Sequence, residues 1–289
     1  MNGPERIVLV GPGRAGVSVC RALAEAGAEV AAIVGGGPAS AAKAREELGP
    51  ASRLSLETAL LPGVVVVVAV PDDRLPAVAA LLDGPSSAKT LVLHLAGAAG
   101  REALAPLAAR GIRTAAWHPL RAFAACDAGR GGFAGAAVAV EAEDADRPRL
   151  LALAELAGGR PFALLGARRD LYHAAAAIAG NAPLALLDIA ERAFVDAGAP
   201  PGLARSALLA LCRGALDNVE RLGPSAALTG PVVRGDAATI AKHLTALGDR
   251  SPAERDLYAA LCAALVRLAA RRPDGRKAED VRPVLGLPP

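Results

Sequence analysis

The 289-residue sequence predicts an α/β fold, a doubly wound parallel sheet, followed by a second, all-helical domain. Three observations predict it. Up to about residue 166, short apolar segments alternate with helical segments of about 10 to 15 residues, the pattern of parallel strands joined by right-handed crossovers. One segment, VVVVVAV at Val64 to Val70, is β-branched almost throughout, as suits a strand covered on both faces. Beyond residue 166 the strand pattern stops, and Ala/Leu-rich segments at helical spacing take over. The domain boundary is placed there, giving domains 1–166 and 167–289.

In chain order, Arg6 to Val10 reads as the first strand and Gly13 to Ala26 as the first helix, stopped by Gly27. Glu29 to Val34 is the second strand, and Ala39 to Leu48 a helix ended by Gly49-Pro50. The valine run follows as the third strand, then a helix from Asp73 to Leu82. Thr90 to Leu95, Arg101 to Arg110 and Ile112 to Trp117 continue as strand, helix and fifth strand. Ala136 to Val140 and Pro161 to Leu165 could add two strands around a helix from Pro148 to Ala157. In the second half, helices read as Arg168 to Ala197, Leu203 to Leu222, Ala237 to Leu247 and Ala253 to Arg271. Pro183 lies inside the first of these and should kink it, because proline donates no backbone hydrogen bond. The tail from Pro273 to Pro289, rich in Pro, Gly and charge, reads as loose.

Composition narrows the function classes. Hydrophobic residues make up 53% of the chain and aromatics only 2%, so the core must be built from Ala, Leu and Val. Arg outnumbers Lys 28 to 4 without clustering, and a net charge of +3 does not argue for nucleic acid or an anionic membrane as a partner. Cys20, Cys126, Cys212 and Cys262 make no metal-ligand spacing and read as buried free thiols in a reducing compartment. The N-terminus, MNGPERIVLV, runs straight into a strand without an apolar leader. The longest helical apolar run, Ala174 to Leu187, holds Asn181 and Pro183 and reads as a buried core helix rather than a membrane span. A cytoplasmic protein is the expectation. That removes the setting in which Arg234-Gly235-Asp236 would be a cell-adhesion signal.

The chemistry begins at GPGRAG, Gly11-Pro12-Gly13-Arg14-Ala15-Gly16, which follows the first strand and opens the first helix. Gly11 permits a tight turn, Gly13 lets a pyrophosphate approach the backbone, and Gly16 lets helix pack on strand. The helix N-terminus then offers free N–H groups to phosphate. Arg14 could reach a phosphate or stand exposed. An NAD site wants a carboxylate at the end of the second strand, for the ribose hydroxyls. The sequence there is IVGGGPASAAK, with no carboxylate between Glu29 and Glu46. Gly35, Gly36, Ser40 and Lys43 would tolerate a 2′-phosphate, so the sequence leans to NADP. A dinucleotide-binding Rossmann-type domain is therefore expected.

Ligands of open α/β sheets bind beyond the carboxyl ends of the strands. Besides the glycine loop, three such ends carry unusual residues: Val70-Pro71-Asp72-Asp73, His94-Leu95-Ala96-Gly97 and Trp117-His118-Pro119-Leu120. Asp72 and Asp73 could instead cap the next helix, and His94 could be a satisfied core histidine. In the helical half, His173 and Asn181 stand about 80° apart around one helix and can border one groove. Asn181 could also bond the carbonyls freed by Pro183. Asn218 falls on an apolar face and reads as a core or interface polar group. His243 recurs with Ile240, Leu244 and Leu247 and reads as a core histidine, while Asp236 caps its helix. Arg234, next to the turn Thr229-Gly230-Pro231, could pair with Asp236 or face an anion.

Together GPGRAG, AVPDD, HLAGA, WHPLRAF, DLYHAAAAIAGN and ALTGPVVRGDAATIAKHL resemble the bacterial proteins that join a Rossmann-like domain to a DUF2520 domain, over nearly the whole chain. More distantly, the architecture is similar to pyrroline-5-carboxylate reductase, ketopantoate reductase and the F420-dependent NADP reductases. The resemblance implies an NADP-binding N-terminal domain, a helical domain of the 6-phosphogluconate dehydrogenase C-terminal type, a homodimer built through the helices, and an active site in the cleft between domains. The wider superfamily often places a Lys and an Asn on the first helix of the second domain. Asn181 could be that Asn, whereas no Lys lies near it. The expectation is an NADP-dependent oxidoreductase acting on a small carbonyl or imine compound, with NAD or a deazaflavin as other carriers. His118 or His173 would be the proton donor, Asn181 and Thr229 would orient the substrate, and Arg234 would help hold it or shape the subunit contact. The alternative is a non-catalytic dinucleotide-binding sensor or dimeric partner protein. No metal is expected.

Overall fold

The computed structural model describes residues 4–123, 133–164, 168–273 and 275–288. Cys126 and Leu165, both named among the sequence expectations, lie outside the described residues. The chain forms two compact units, residues 1–181 and 182–289. The last strand ends at Ala163, and the helix Arg169–Gly180 belongs to the first unit. The division between units therefore falls a helix later than the point where the strand pattern stops.

In the first unit the strands are β1 (Arg6–Val10), β2 (Glu29–Val34), β3 (Ser52–Leu54), β4 (Val65–Val68), β5 (Leu91–His94), β6 (Arg113–Leu120), β7 (Ala137–Ala142) and β8 (Arg160–Ala163). They form one sheet in the order β3-β2-β1-β4-β5-β6-β7-β8. The helices are α1 (Arg14–Glu25), α2 (Pro38–Leu48), α3 (Leu75–Leu81), α4 (Ala105–Ala108), α5 (Arg147–Leu156) and α6 (Arg169–Gly180). The strands from β3 to β6 run parallel, which puts the carboxyl ends of β1, β4, β5 and β6 on one edge. β7 is antiparallel to β6, and β8 is parallel to β7. The sheet is therefore mostly, not wholly, parallel.

Both faces of the sheet are covered, as the valine run predicts. Ile7, Leu9, Val65, Val67, Leu91, Leu93 and Trp117 join one apolar cluster with residues of α1 and α5. Val8, Val10, Val66, Val68 and Val92 join the other with Leu75, Leu82, Leu104 and Leu107. Because side chains alternate along a strand, Trp117 and His118 point to opposite faces.

The structure departs from expectation at several elements, for identifiable reasons. β3, three residues with little apolar content, was not expected; it adds at the edge of the sheet beside β2. β6 runs on to Leu120 because β7 pairs with it antiparallel, so His118 lies inside a strand, opposite Ala139, and not at a strand exit. Asp72 and Asp73 sit in a 3-10 turn whose first flanking residue is Pro71, with no side-chain cap.

The second unit holds α7 (Ala182–Asp196), α8 (Pro201–Leu222), α9 (Pro224–Ala227), α10 (Pro231–Arg234), α11 (Ala237–Arg250) and α12 (Pro252–Ala269). The break between α6 and α7 falls at Asn181, with Pro183 in the first turn of α7, which places the expected kink two residues earlier. Val232, Ile240, Cys262, Val266 and Ala269 form the core of this unit with Ala278 and Val281. The tail is therefore not loose. Residues Gly275–Val281 form a 3-10 segment that inserts Ala278 and Val281 into that core.

The run Ala174 to Leu187 is not a buried core helix either. No residue of α7 is buried, α8 buries only Ala204, and Ile178, Leu184, Leu211 and Leu216 are exposed. Among the described residues one helical stretch, Arg169–Asp196, is long and apolar enough to cross a membrane by length and composition, and none of its most apolar window is buried within the chain. Cys20 and Cys262 are buried free thiols, as expected, whereas Cys212 is only half-buried. Burial pushes the Cys20 thiol up to about 12.

Candidate functional site

The glycine loop is built by three different local requirements. Gly11 has φ +87°, and a Cβ there would stand 2.8 Å from the Ala69 carbonyl oxygen and 2.9 Å from Val70 Cγ1. Its N–H donates to the Val34 carbonyl at 3.0 Å, which ties the loop to the end of β2. At Gly16 a Cβ would meet Leu9 Cδ1 and Ala69 Cβ at 2.8 Å each, so α1 packs on β1 and β4 with no side chain between them. Gly13 is the exposed residue preceding α1, and a Cβ there would meet nothing within 4 Å. Packing does not require a glycine at that position; close approach by a ligand would. Val17 is the first residue whose N–H bonds back, to the Gly13 carbonyl at 2.9 Å. The amides of Arg14, Ala15 and Gly16 precede it at the positive end of α1, with no acidic residue in its first turn. Pro12 packs under Gly36, where a Cβ would come 2.6 Å from Pro12 Cγ. Gly35 and Gly36 both have positive φ, and Gly35, Ser40 and Lys43 are exposed beside the loop.

A second cluster forms where β5, β6, β7 and α6 meet. His94 is fully buried. The Ala96 N–H donates to its Nδ1 at 3.2 Å, so the ring proton belongs on Nε2, which donates to the Gly100 carbonyl at 2.9 Å. Both nitrogens are spent on holding the loop from 95 to 100, and burial keeps the ring uncharged by lowering its pKa. His94 therefore offers no free nitrogen to a cofactor.

His118 is half-buried, and its Nδ1 lies 2.7 Å from the Tyr172 hydroxyl. Burial, then the neighbouring His173, Arg169 and His94, depress its pKa to about 4. Burial also pushes the Tyr172 phenol up to about 12. Next to Tyr172, His173 has a buried Nδ1 with no hydrogen-bond partner. A Cβ at Gly97 would stand 2.6 Å from that Nδ1 and 2.7 Å from His118 Nε2. Only glycine lets two imidazole nitrogens converge beside the loop after β5.

Arg169, 8% exposed, fixes α6 against this loop. Its Nε and Nη2 donate to Glu141 Oε2 on β7 at 2.9 and 2.7 Å, and its Nη1 donates to the Gly97 carbonyl at 3.4 Å. The side chains of α6 thus reach the rim of the sheet through one ion pair and one His–Tyr hydrogen bond.

The structure brings His118 and His173 together within the first unit. Asn181 is exposed at the end of α6, eight residues and about 12 Å along the helix axis from His173. Val70 packs against Gly11, and Pro71 and Asp72 are exposed beyond β4. Within the second unit, Thr229 borders a surface groove along α8 with Leu211, Gly214, Asn218 and Arg221. Asn218 accepts from Arg221 at 2.6 Å, so it is locally paired and not a core group. Arg234 is exposed at the end of α10. Gly235 is left-handed at φ +71° and abuts the Lys277 backbone, while Asp236 caps α11 through the Thr239 N–H and hydroxyl at 3.0 and 2.7 Å. Glycine and aspartate of that tripeptide thus have structural duties. His243 is exposed, bonded to the Tyr258 hydroxyl at 2.8 Å, and is not the core histidine expected. No group of three or more metal-ligating side chains occurs among the described residues.

Comparison with known proteins divides the chain earlier than the two compact units do. A Rossmann-like domain matches residues 4–119, and the domain of unknown function DUF2520 matches residues 136–265. The chain carries a Rossmann-like domain and a DUF2520 domain. The Rossmann-like region supplies Gly97 and His118 to the cluster, and the DUF2520 region supplies Glu141, Arg169, Tyr172 and His173. No curated protein matches the sequence. A Bacteroides fragilis protein provisionally named an NADP oxidoreductase is similar in structure, with TM-score 0.75 and 21% identity over 91% of this chain and 98% of that one. Protein TM1727 of Thermotoga maritima superposes with TM-score 0.70 and 23% identity, over 92% of this chain and all (100%) of the other. Pyrroline carboxylate reductase of Plasmodium falciparum, solved with NADP bound, gives TM-score 0.58 and 12% identity over 96% and 100% of the two chains. At these identities the likeness is one of fold.

Sequence reading gave no role to Tyr172, Arg169, Glu141 or Gly97. The signal for Tyr172 and Arg169 is weak but present: the run Arg169-Asp170-Leu171-Tyr172-His173 puts four polar residues at the start of an otherwise alanine-rich helix.

Proposed function

We propose that the protein is a nicotinamide-dinucleotide-dependent oxidoreductase acting on a small carbonyl or imine compound, with NADP the favoured carrier. The observation that carries this reading is Gly13. It stands open at the N-terminus of α1, on the same edge of the sheet as His118 and His173. The residues present fit a dinucleotide. The amides of Arg14, Ala15 and Gly16 would hold its pyrophosphate, with Gly13 leaving room for it to approach. Gly35, Gly36 and Ser40, with no carboxylate at the end of β2, would admit a 2′-phosphate. The fold likeness to an NADP-bound reductase supports the same assignment. The chemistry such a cofactor supplies is hydride transfer.

The protein's own residues would bind and orient the substrate beside Gly97. His118, uncharged at neutral pH, is a hydrogen-bonding group rather than an imidazolium acid. That leaves His173, whose Nδ1 is buried without a partner, as the proton donor. Arg169 would favour negative charge developing on the substrate, through its proximity to both rings.

The test is turnover of NADPH and NADH with panels of small ketones, aldehydes and cyclic imines. Reduction of any of them, lost in His173→Ala, would support the reading. Binding of dinucleotide without turnover of any compound would favour a sensor or partner protein instead.

We further infer that the protein is a homodimer joined through α7 and α8, because those helices bury almost nothing within one chain. Arg192–Glu254 and Arg205–Glu191 ion pairs hold the charged side of the helices in place.

A further inference from the structure

Which hydrogen-bonding character does His118 present to a substrate? Its Nδ1 is held by Tyr172, and its Nε2 lies beside Gly97 with no hydrogen-bond partner among the described residues. Two arrangements are possible for a neutral ring and a phenol. If Nδ1–H donates to the phenol oxygen, the phenolic O–H needs another acceptor. Among the described residues the Tyr172 hydroxyl bonds only His118, so both that O–H and the Nε2 lone pair would be left unmet. If instead the phenol donates to Nδ1, only Nε2–H remains unmet, and it lies beside the unpartnered His173 Nδ1. The second arrangement leaves one group without a protein partner among the described residues and the first leaves two, which favours the second.

We propose that Tyr172 fixes His118 with its proton on Nε2, and that this N–H makes the site one for a carbonyl oxygen rather than a protonated imine. The proposal rests on the reading above that substrate lies beside Gly97. A carbonyl oxygen accepts from Nε2–H. A protonated imine carries its own N–H and no lone pair, so it would face a donor with a donor. It would also carry positive charge among His118, His173 and His94 and beside the Arg169 guanidinium, whose fields already resist protonation of His118. Arg169 and Nε2–H favour the opposite charge, the one a carbonyl oxygen develops on reduction. Tyr172 acts through His118 and is a positioning residue.

The chain has four histidines, so long-range ¹H–¹⁵N spectra of ¹⁵N-labelled protein can assign the tautomer of each. The expected result is Nε2–H at both His94 and His118, with His118 uncharged down to about pH 5. In Tyr172→Phe the His118 signals should shift towards a tautomer mixture while the His94 and His243 signals stay in place, which shows that the fold is intact. Nδ1–H at His118 in the wild type, or no change of tautomer in Tyr172→Phe, would overturn the assignment.

Turnover then tests specificity. Carbonyl compounds should be reduced at least tenfold faster than cyclic imines of the same size, and His118→Gln, which keeps an N–H near the Nε2 position, should retain more carbonyl turnover than His118→Phe. Faster imine reduction would refute the carbonyl preference while leaving the oxidoreductase reading standing. Absence of both dinucleotide binding and turnover would refute that reading, and the carbonyl half of this proposal with it, whatever the tautomer.

Discussion

An imidazole shielded from water beside a guanidinium stays uncharged, and that sets a pH dependence for the protein. His118 titrates at about 4 in the folded chain, against an ordinary value near 6.5. Between those values the unfolded chain binds a proton that the folded chain does not, so stability falls as pH drops from about 6.5 to about 4. His94, shifted in the same direction, adds to the effect. Thermal unfolding across that range should show a falling midpoint, with a shallower fall in His118→Gln; a flat profile in the wild type would contradict the burial of these rings. Gly97 gives a second test at this scale. A Cβ there meets both imidazoles, so Gly97→Ala should lower turnover at least tenfold while leaving dinucleotide binding unchanged, measured by parallel kinetics and titration. Single residues were legible in the sequence where their reasons are local. Gly11, Gly13 and Gly16 follow from one turn and one helix start. Tyr172 was not, because its partner is 54 residues away and neither residue's neighbours announce the pair.

The helix α6 shows how much one element depends on a few polar contacts. Its far end is exposed and alanine-rich, and its hold on the sheet runs through Arg169, Tyr172 and His173. Removing Arg169 would leave Glu141 without its cation and free the first turn. Arg169→Ala should therefore cost on the order of 3 kcal/mol of stability, seen in chemical denaturation, because the arginine is nearly fully buried. Asp236→Ala, which removes only the cap of α11, should cost measurably less. At this scale the sequence was a good guide to elements with strong periodicity. The expected bounds of β1, β2, α2 and α8 differ from those found by no more than two residues. It was a poor guide where tertiary contacts decide. The antiparallel β7 lengthens β6, and the core of the second unit recruits a Pro- and Gly-rich tail that local composition marks as loose.

For the whole molecule, the distribution of apolar surface points to self-association. Leu211 is 71% exposed, Leu216 62% and Leu184 66%, on helices that contribute only Ala204 to any buried position. Apolar faces left exposed in this way fit the dimer proposed above. Sedimentation of the wild type should give a dimer, and Leu211→Glu combined with Leu216→Glu should give a monomer; a monomeric wild type would contradict the inference. A 28-residue apolar stretch from Arg169 was legible in the sequence as helix, but its exposure was not, because composition alone does not separate a buried helix from an exposed one. Binding of a nicotinamide dinucleotide at the glycine loop of the first unit has a direct test. Nothing lies within 4 Å of a Cβ at Gly13, so Gly13→Asp should leave the fold intact while setting a carboxylate against the pyrophosphate. Calorimetric titration of wild type and Gly13→Asp with NADPH and NADH, beside their thermal midpoints, would decide it. The account predicts binding of NADPH by the wild type and none by a variant of equal stability. Absence of binding to either dinucleotide, or equal binding by the variant, would contradict it.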